Sequence, residues 1–114
     1  MDLELDPEDA KIITLARSAR ARSGAESGAA VRDTTGRTYS AVEVSLPSLR
    51  LSALEVAVAM AVSSGAEGLE AAAVVSGATE LAEAVLAPAR DLKAVQVLLA
   101  DPTGQLTAAY PTAS

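Results

Sequence analysis

Apolar residues recur at helical spacing in three stretches of the chain, over residues 6–24, 50–65 and 78–88. Each stretch predicts a helix. The first has Asp6 as its cap with a proline directly after it, a combination that is typical of helix starts. The third is expected to end at Pro88, because proline restricts the residue before it and does not continue a helix.

Strand patterns fill the segments between these helices. Residues 29–33 and 37–44 are strand-like on either side of the turn "DTTG" and predict an antiparallel hairpin. Continuous apolar runs at 69–77 and 93–101 are typical of central strands that are buried on both faces. Residues 105–110 predict either a final edge strand or a short helix.

The order of these elements predicts an α/β protein. Strands linked by a helix are expected to pair in parallel through right-handed crossovers, whereas the hairpin is antiparallel. We therefore predict a three-layer α/β/α sandwich around a mixed sheet, formed by a single domain over residues 1–114. Pro47 and Ser48 are interpreted as a loop that leads into the second helix.

The second helix differs from the others because its pattern predicts no solvent-exposed face. Glu55 is its one charge after Arg50, and residues 56–62 are uninterrupted apolar. Three interpretations are open: the central helix of the sandwich, a subunit interface, or a helix on a membrane surface. The third is disfavoured because such helices carry a basic polar face, and the apolar run is too short to span a bilayer.

The amino-acid composition points to assembly. Half of the residues are hydrophobic, but there are two Tyr and no Phe or Trp. A core of Ala, Val and Leu is thin, so we expect a homo-oligomer in which burial extends across an interface. Any further protein partner is unidentified. The acidic start "MDLELDPEDAK" has no signal-peptide features, and we expect a cytoplasmic protein without membrane partners.

The charge of the chain disfavours nucleic-acid binding. The formal net charge is −6, whereas nucleic-acid binding needs a basic surface that neutralises phosphates. Arg17, Arg20 and Arg22 form the nearest basic cluster. They lie near the end of the first helix, where cations favour the helix dipole, and that interpretation is preferred.

The chain has no cysteine and no histidine. Disulfides, thiolate nucleophiles and sulfur-ligated zinc are therefore excluded, together with the commonest general base. Asp101 follows a predicted strand, where it is either an aspartyl nucleophile or the first residue of a "DPTG" turn, and the turn is favoured. Before the third helix, either Gly77 and Thr79 line a small anion pocket, or Ser76 or Thr79 caps the helix, and capping is favoured.

Several strings resemble the cytidine deaminase family over nearly the whole chain. The family's hairpin string "GAA…DGR.Y.G.NVE" corresponds here to "GAAVRDTTGRTYSAVEV", residues 28–44. Its apolar helix, which opens with "CAE" and runs into "A…AVS.G", corresponds to "SALEVAVAMAVSSG", residues 52–65. "VQVLLADPTGQ", residues 95–105, corresponds to its last strand and "D..G" turn. The resemblance implies a cytidine-deaminase-like fold.

The resemblance also implies a zinc site, and this chain lacks the residues for it. In the family, one His or Cys and two further Cys hold zinc, and a nearby Glu transfers protons. One alignment puts Ser52 at the first ligand position and Leu54 at the Glu position. A shift of two residues puts Leu54 at the ligand position and Val56 at the Glu position, so neither register restores the site.

The remaining candidates belong to the same implied pocket. The ribose-contacting "NVE" of the family corresponds to residues 43–45, with both polar positions altered. Glu55 is either a relocated acid–base or a helix-start residue that faces solvent or Arg50, and the second interpretation is favoured. The residues of the candidate vestigial pocket are Glu43, Ser45, Ser52, Leu54, Glu55, Ser76 and Gly77.

We therefore expect a non-catalytic cytidine-deaminase-like protein, without zinc or another cofactor, that acts as a homo-oligomeric structural or partner-binding protein. Two alternatives stay open. The chain is a binding module for nucleoside-like small molecules, or it is an enzyme of different, metal-free chemistry that reuses the old pocket. Loss of the family's ribose contacts weakens the binding-module alternative.

Overall fold

The computed structural model describes residues 5–112, which form the predicted helices and strands in the predicted order, with one additional hairpin before the second helix. They are α1 (Pro7–Ser23), β1 (Ser27–Asp33), β2 (Thr38–Val42), β3 (Val44–Leu46), β4 (Leu49–Leu51), α2 (Ala53–Ser63), β5 (Leu69–Ser76), α3 (Glu83–Asp91), β6 (Gln96–Ala100) and β7 (Leu106–Pro111). The last segment is a strand, so the alternative of a short terminal helix is wrong.

Five of the strands form one mixed sheet in the order β2-β1-β5-β6-β7. β5 and β6, which α3 connects, are parallel as predicted, and the β1–β2 hairpin is antiparallel. β5 pairs antiparallel with β1, and β7 pairs antiparallel with β6. β2 and β5, the strands of this sheet that precede and follow α2 in the chain, are separated by β1, so the parallel pairing expected across α2 is wrong.

Helices cover both faces of this sheet, which confirms the α/β/α sandwich. On one face, Ile12, Ile13 and Ala16 of α1 pack against small side chains of β1, β5 and β6. On the other face, α2 and α3 bury Leu54 and Leu86 in a second cluster. The two clusters lie on opposite sides of the same strands, because successive side chains of a strand point to opposite faces.

A single glycine sets how closely α1 lies on the sheet. A Cβ atom built on Gly28 of β1 would lie 2.1 Å from the carbonyl oxygen of Ala16. No side chain fits in that space, so only glycine permits this helix–strand distance. The helix then ends at Gly24, which has a positive φ of 67° and donates its N–H to the Arg20 carbonyl.

The segment before α2 differs from the prediction. The predicted strand over 37–44 ends at Val42, and residues 44–46 pair with residues 49–51 in a separate two-stranded sheet. Pro47 and Ser48 are thus the turn of a second hairpin, not an entry loop. Arg50 lies in β4, because strand pairing holds residues 49–51 and Ser52 caps the helix that follows.

The third helix also lies further along the chain than predicted. It spans Glu83–Asp91 instead of 78–88, and Pro88 lies inside it. Burial of Leu86 and Ala89 outweighs the hydrogen bond that the proline cannot donate. An ion pair between Glu83 and Arg90 joins its two ends. None of the helices within residues 5–112 combines the length and hydropathy needed to cross a bilayer.

Candidate functional site

The first turn of α2, where the resemblance places the chemistry, is occupied by a reciprocal cap. The Ser52 hydroxyl accepts the Glu55 N–H at 3.1 Å, and the Glu55 carboxylate accepts the Ser52 N–H at 2.8 Å. This capping box satisfies two backbone donors that the start of a helix leaves free. Glu55 lies in the first helical turn as predicted, but its hydrogen-bond partner is Ser52 and not Arg50.

Leu54 points away from this cap and into the protein. It is 0% exposed and packs in the cluster formed with residues such as Ala29, Val31 and Val74. An isobutyl side chain in this place has no atom that coordinates a metal or transfers a proton. In both alignments of the family's motif, one of the two functional positions is therefore filled by core packing.

Glu43, between β2 and β3, is used to hold the start of β1. One carboxylate oxygen accepts the Glu26 N–H at 2.9 Å, and the other accepts the N–H and hydroxyl of Ser27 at 3.0 and 3.1 Å. Burial raises the pKa of Glu43, but these hydrogen bonds outweigh it and leave the pKa below its ordinary value. The side chain is thus an ionised structural acceptor.

Ser76 lies at the same end of the sheet as Glu43, because its Cα is paired with that of Ser27 across β1 and β5. The Ser76 hydroxyl accepts the Ala78 N–H at 3.1 Å, which closes a local turn. Gly77 is exposed, and a Cβ built on it would meet nothing within 4 Å. The helix begins only at residue 83, so the predicted capping by Ser76 or Thr79 is wrong, and so is an anion cradle at its start.

The candidate residues therefore fall into two groups. Glu43 and Ser76 meet around Ser27, whereas Ser52 and Glu55 bind each other. Ser45 is exposed on β3, where its Cα is paired with that of Arg50. Within residues 5–112 no hydrogen bond joins the two groups, and their polar atoms already have local partners.

The two aspartate turns match the prediction from the sequence. Asp33 Oδ1 accepts the N–H groups of Thr35 and Arg37 and the Thr35 hydroxyl. Burial raises the pKa of Asp33, yet these hydrogen bonds bring it below its ordinary value. Asp101 makes the equivalent contacts, and the Thr103 hydroxyl above all lowers its pKa. Both carboxylates organise turns, so neither is arranged as a nucleophile.

Sequence reasoning missed a polar cleft of about 310 Å³ beside the first of these turns. It lies between the β1–β2 turn and the end of α2. Arg37 and Glu67 line it, together with other residues of both loops. The only sequence signal was a charged residue directly after the turn glycine, which is also common on exposed strand ends.

These elements define an α/β/α sandwich in which a capped apolar helix packs on a mixed five-stranded sheet. The family model described as "Cytidine deaminase-like" matches residues 5–104. The chain belongs to the cytidine deaminase-like family. Comparison with curated proteins gives no match.

Solved structures of cytidine deaminases have the same fold. The enzyme from Burkholderia pseudomallei superposes with a TM-score of 0.76 at 22% identity, covering 90% of this chain and 91% of that one. The enzyme from Mycobacterium tuberculosis gives 0.68 at 23% identity, covering 89% of each chain. For Mycobacterium leprae the values are 0.65 and 21%, with 85% of this chain and 91% of that one covered.

The zinc ion implied by the family does not fit the donor set of this chain. Catalytic zinc sites use three protein ligands, and the deaminase site draws them from His and Cys, neither of which occurs here. Within residues 5–112 no three acidic side chains are grouped as they would be around a metal ion. Glu43 and Glu55, the two carboxylates among the candidate pocket residues, are each bound to backbone N–H groups.

Proposed function

We propose that this protein is a non-catalytic member of the cytidine deaminase-like family, and that it acts as a homo-oligomeric structural or partner-binding protein. The observation that carries the proposal is the first turn of α2. There, the polar side chains of Ser52 and Glu55 cap the helix and Leu54 is fully buried. At this turn the family has a metal ligand and a proton carrier, whereas here its side chains begin the helix and anchor it in the core.

The donor chemistry supports the loss of the family's reaction. Hydrolytic deamination needs a water molecule that is acidified by a metal ion, because bulk water is a weak nucleophile at neutral pH. A chain without Cys and His has only carboxylates left for such an ion. The two carboxylates of the candidate vestigial pocket, Glu43 and Glu55, already accept hydrogen bonds from backbone N–H groups. Moving them would release the start of β1 or of α2.

The composition supports the homo-oligomer. The largest fully buried side chains within residues 5–112 are Ile, Leu and Val, and both described tyrosines are only half buried. In α2, Met60 and Val62 are 41% and 49% exposed, and no charged side chain lies beside them in the last turn of the helix. Apolar area that stays exposed in the monomer stabilises an assembly when a second subunit covers it.

A combined assay tests the absence of catalysis. The purified protein is incubated with zinc, its metal content is measured by mass spectrometry, and cytidine conversion to uridine is followed by chromatography. We expect neither bound zinc at stoichiometric amounts nor conversion above the buffer background. One zinc per chain together with uridine formation would contradict the proposal. A family member that retains its Cys ligands serves as the positive control.

Thermal-shift and light-scattering measurements test the rest of the proposal. We expect no rise in Tm with nucleosides, nucleotides or divalent metals, and a molar mass of at least two chains at micromolar concentration. A concentration-dependent rise with cytidine or uridine would instead favour the nucleoside-binding module. A rise with another metabolite would favour metal-free chemistry in the old pocket, and a strictly monomeric protein would contradict the homo-oligomer.

A further inference from the structure

The outer side of β2 is a free sheet edge. β2 pairs with β1 on its inner side, and within residues 5–112 no strand pairs with its outer side. The Asp33 N–H donates to the Arg37 carbonyl at 2.8 Å, which fixes the alternation of the antiparallel ladder. The backbone groups of Tyr39 and Ala41 therefore point to β1, and those of residues 38, 40 and 42 point outward.

The edge at β2 lacks the features that usually protect such strands, whereas the edge at β7 has them. β7 ends at Pro111 and has an irregular register opposite Leu99 and Ala100. Prolines and bulges of this kind prevent a further strand from pairing. β2 has the sequence "TYSAV", without charge or proline, and its register with β1 is regular.

The two charges that flank β2 have opposite signs, so they are complementary when the strand pairs antiparallel with a second copy of itself. Arg37 precedes the strand and Glu43 follows it. Arg37 is exposed and makes no ion pair within residues 5–112, where the ion pairs involve other residues. When a second copy of β2 lies antiparallel to the first and both are centred on Ser40, each Arg37 lies opposite Glu43 of the other copy. The Glu43 carboxylate carries its negative charge there while it accepts the hydrogen bonds of residues 26 and 27.

This register follows from the geometry of the strand. Opposite residues of an antiparallel pair alternate between hydrogen-bonded and non-hydrogen-bonded pairs, and a two-fold axis between two copies of one strand can pass through either kind. Centring on Ser40 pairs all five residues of β2, whereas centring on Tyr39 or Ala41 pairs three of them and centring on Thr38 or Val42 pairs one. Ser40 then faces Ser40, and the large Tyr39 faces the small Ala41, with no like charges opposite each other.

We propose that two copies of this chain join through β2, antiparallel and centred on Ser40, and so form a continuous ten-stranded sheet. A groove of about 250 Å³ lies between the end of α1 and β2, and Arg22 and Val42 are among the residues that line it. The proposal rests on the homo-oligomer of the proposed function and names the surface that forms it.

A single introduced cysteine tests the register, because the chain has none of its own. In the proposed pairing the two Ser40 Cα atoms lie about 5.5 Å apart, within the range of about 4.4–6.8 Å for disulfides. We expect Ser40→Cys to form a covalent dimer on mild oxidation. Thr38→Cys is the matched control, since its two copies lie about 14 Å apart, four residues along the strand and one strand across. Equal cross-linking of both variants would overturn the register.

A proline at the same position tests the backbone pairing. Ser40→Pro removes an N–H that points away from β1, so the ladder within the subunit stays intact. We expect the molar mass in light scattering to halve while the circular dichroism spectrum is retained. Ser40→Ala keeps the N–H and should keep the mass of the natural chain. An unchanged mass in a folded Ser40→Pro protein would overturn the proposal.

Charge reversal tests the flanking pairs. Arg37→Glu places two carboxylates opposite each other twice, and we expect the dissociation constant of the dimer to rise about tenfold or more at low salt. Arg17→Glu makes the same change in net charge on α1, beside Gly104 of the β6–β7 turn, and should leave dimerisation unchanged. Equal weakening by both variants would contradict a specific Arg37–Glu43 pair.

The outcomes separate this surface from the proposed function. A natural chain that is monomeric at micromolar concentration contradicts the homo-oligomer, and this surface with it. An oligomer that survives Ser40→Pro and gives no Ser40→Cys cross-link contradicts the surface alone. In that case the assembly uses another face, such as the apolar side of α2.

Discussion

The helices α1 and α2 cross opposite faces of one sheet, but they are held there in different ways. α1 lies so close to β1 that Gly28 has no room for a side chain, and Arg32 of that strand forms ion pairs with Asp9 and Glu70. α2 has Glu55 as its one charge and is anchored by Leu54 and by its own cap. The polar groups of Ser52 and Glu55 at the start of α2 are thus hydrogen-bonded within α2 itself.

The largest expected effect comes from closing the gap between α1 and the sheet. Gly28→Ala places a Cβ atom 2.1 Å from the Ala16 carbonyl oxygen, and the backbone of α1 or β1 must then move. Overpacking costs about 1–3 kcal/mol where side chains can yield, and more where backbone must move. We expect the variant to be largely unfolded or to lose α1 packing, measured by urea denaturation and hydrogen exchange.

Gly77→Ala is the matched control for that change. Gly77 is exposed at the end of β5, and an added Cβ meets nothing within 4 Å. We expect its free energy of unfolding to stay within about 0.5 kcal/mol of the natural chain. Similar losses in the free energy of unfolding for Gly28→Ala and Gly77→Ala would show that the close approach of α1 is not what makes Gly28 necessary.

Truncating Leu54 should have the next largest effect and tests the anchor of α2. Leu54 is 0% exposed, so Leu54→Ala removes buried methyl groups and leaves a cavity, at a cost of about 2–5 kcal/mol. Leu49→Ala in the neighbouring hairpin removes the same atoms from a side chain that is 47% exposed. We expect that control to cost less than about 1 kcal/mol by urea denaturation. Equal costs would contradict the anchoring role.

The sequence predicted the sandwich because the sheet strands and α1 follow strong local patterns. The runs around Val74 and Leu98 are continuously apolar, and they became central strands buried on both faces. The cap at Asp6 and the stop at Gly24 are local signals, and the structure has both. The chain has no Cys and no His, however it is aligned with the family. The lack of the family's zinc ligands therefore followed from the sequence alone.

The parts that the sequence did not predict depend on contacts between distant residues. The "LPSLRL" segment has weak strand propensity, and its hairpin exists because Val44 and Leu51 pair. The shifted α3 depends on burial of Ala89 against the sheet layer, which overrides the proline. Glu43 was placed by resemblance at a substrate position, whereas its hydrogen bonds to residues 26 and 27 appear only when β1 and β2 are aligned.

Removing the cap of α2 should have a smaller effect and separates capping from chemistry. Ser52→Ala leaves the Glu55 N–H without its acceptor, and such losses cost about 0.5–2 kcal/mol. Glu55→Gln keeps an oxygen that can accept the Ser52 N–H, so it should cost less than Ser52→Ala. Urea denaturation measures both. If Glu55 were a relocated acid–base, Glu55→Gln would instead abolish an activity while leaving stability unchanged.

The smallest expected effects concern the two aspartate turns, one near the end of α2 and one beside α1. Their hydrogen bonds hold the folded-state pKa values below the ordinary 3.8, so ionised Asp33 and Asp101 stabilise the fold above that pH. This contribution is lost as the pH falls through the ordinary pKa towards the folded-state pKa.

Near pH 7 we expect Asp33→Asn to lower the urea midpoint more than Asp101→Asn, because Asp33 is only 3% exposed. As the pH falls below about 4, both variants should approach the natural chain, because the carboxylates of the unfolded chain become protonated first and those of the folded chain follow at lower pH. Equal decreases of the urea midpoint in the two variants would show that the burial of Asp33 near the end of α2 adds no stability. Decreases that grow in acid would contradict stabilisation by the ionised carboxylates.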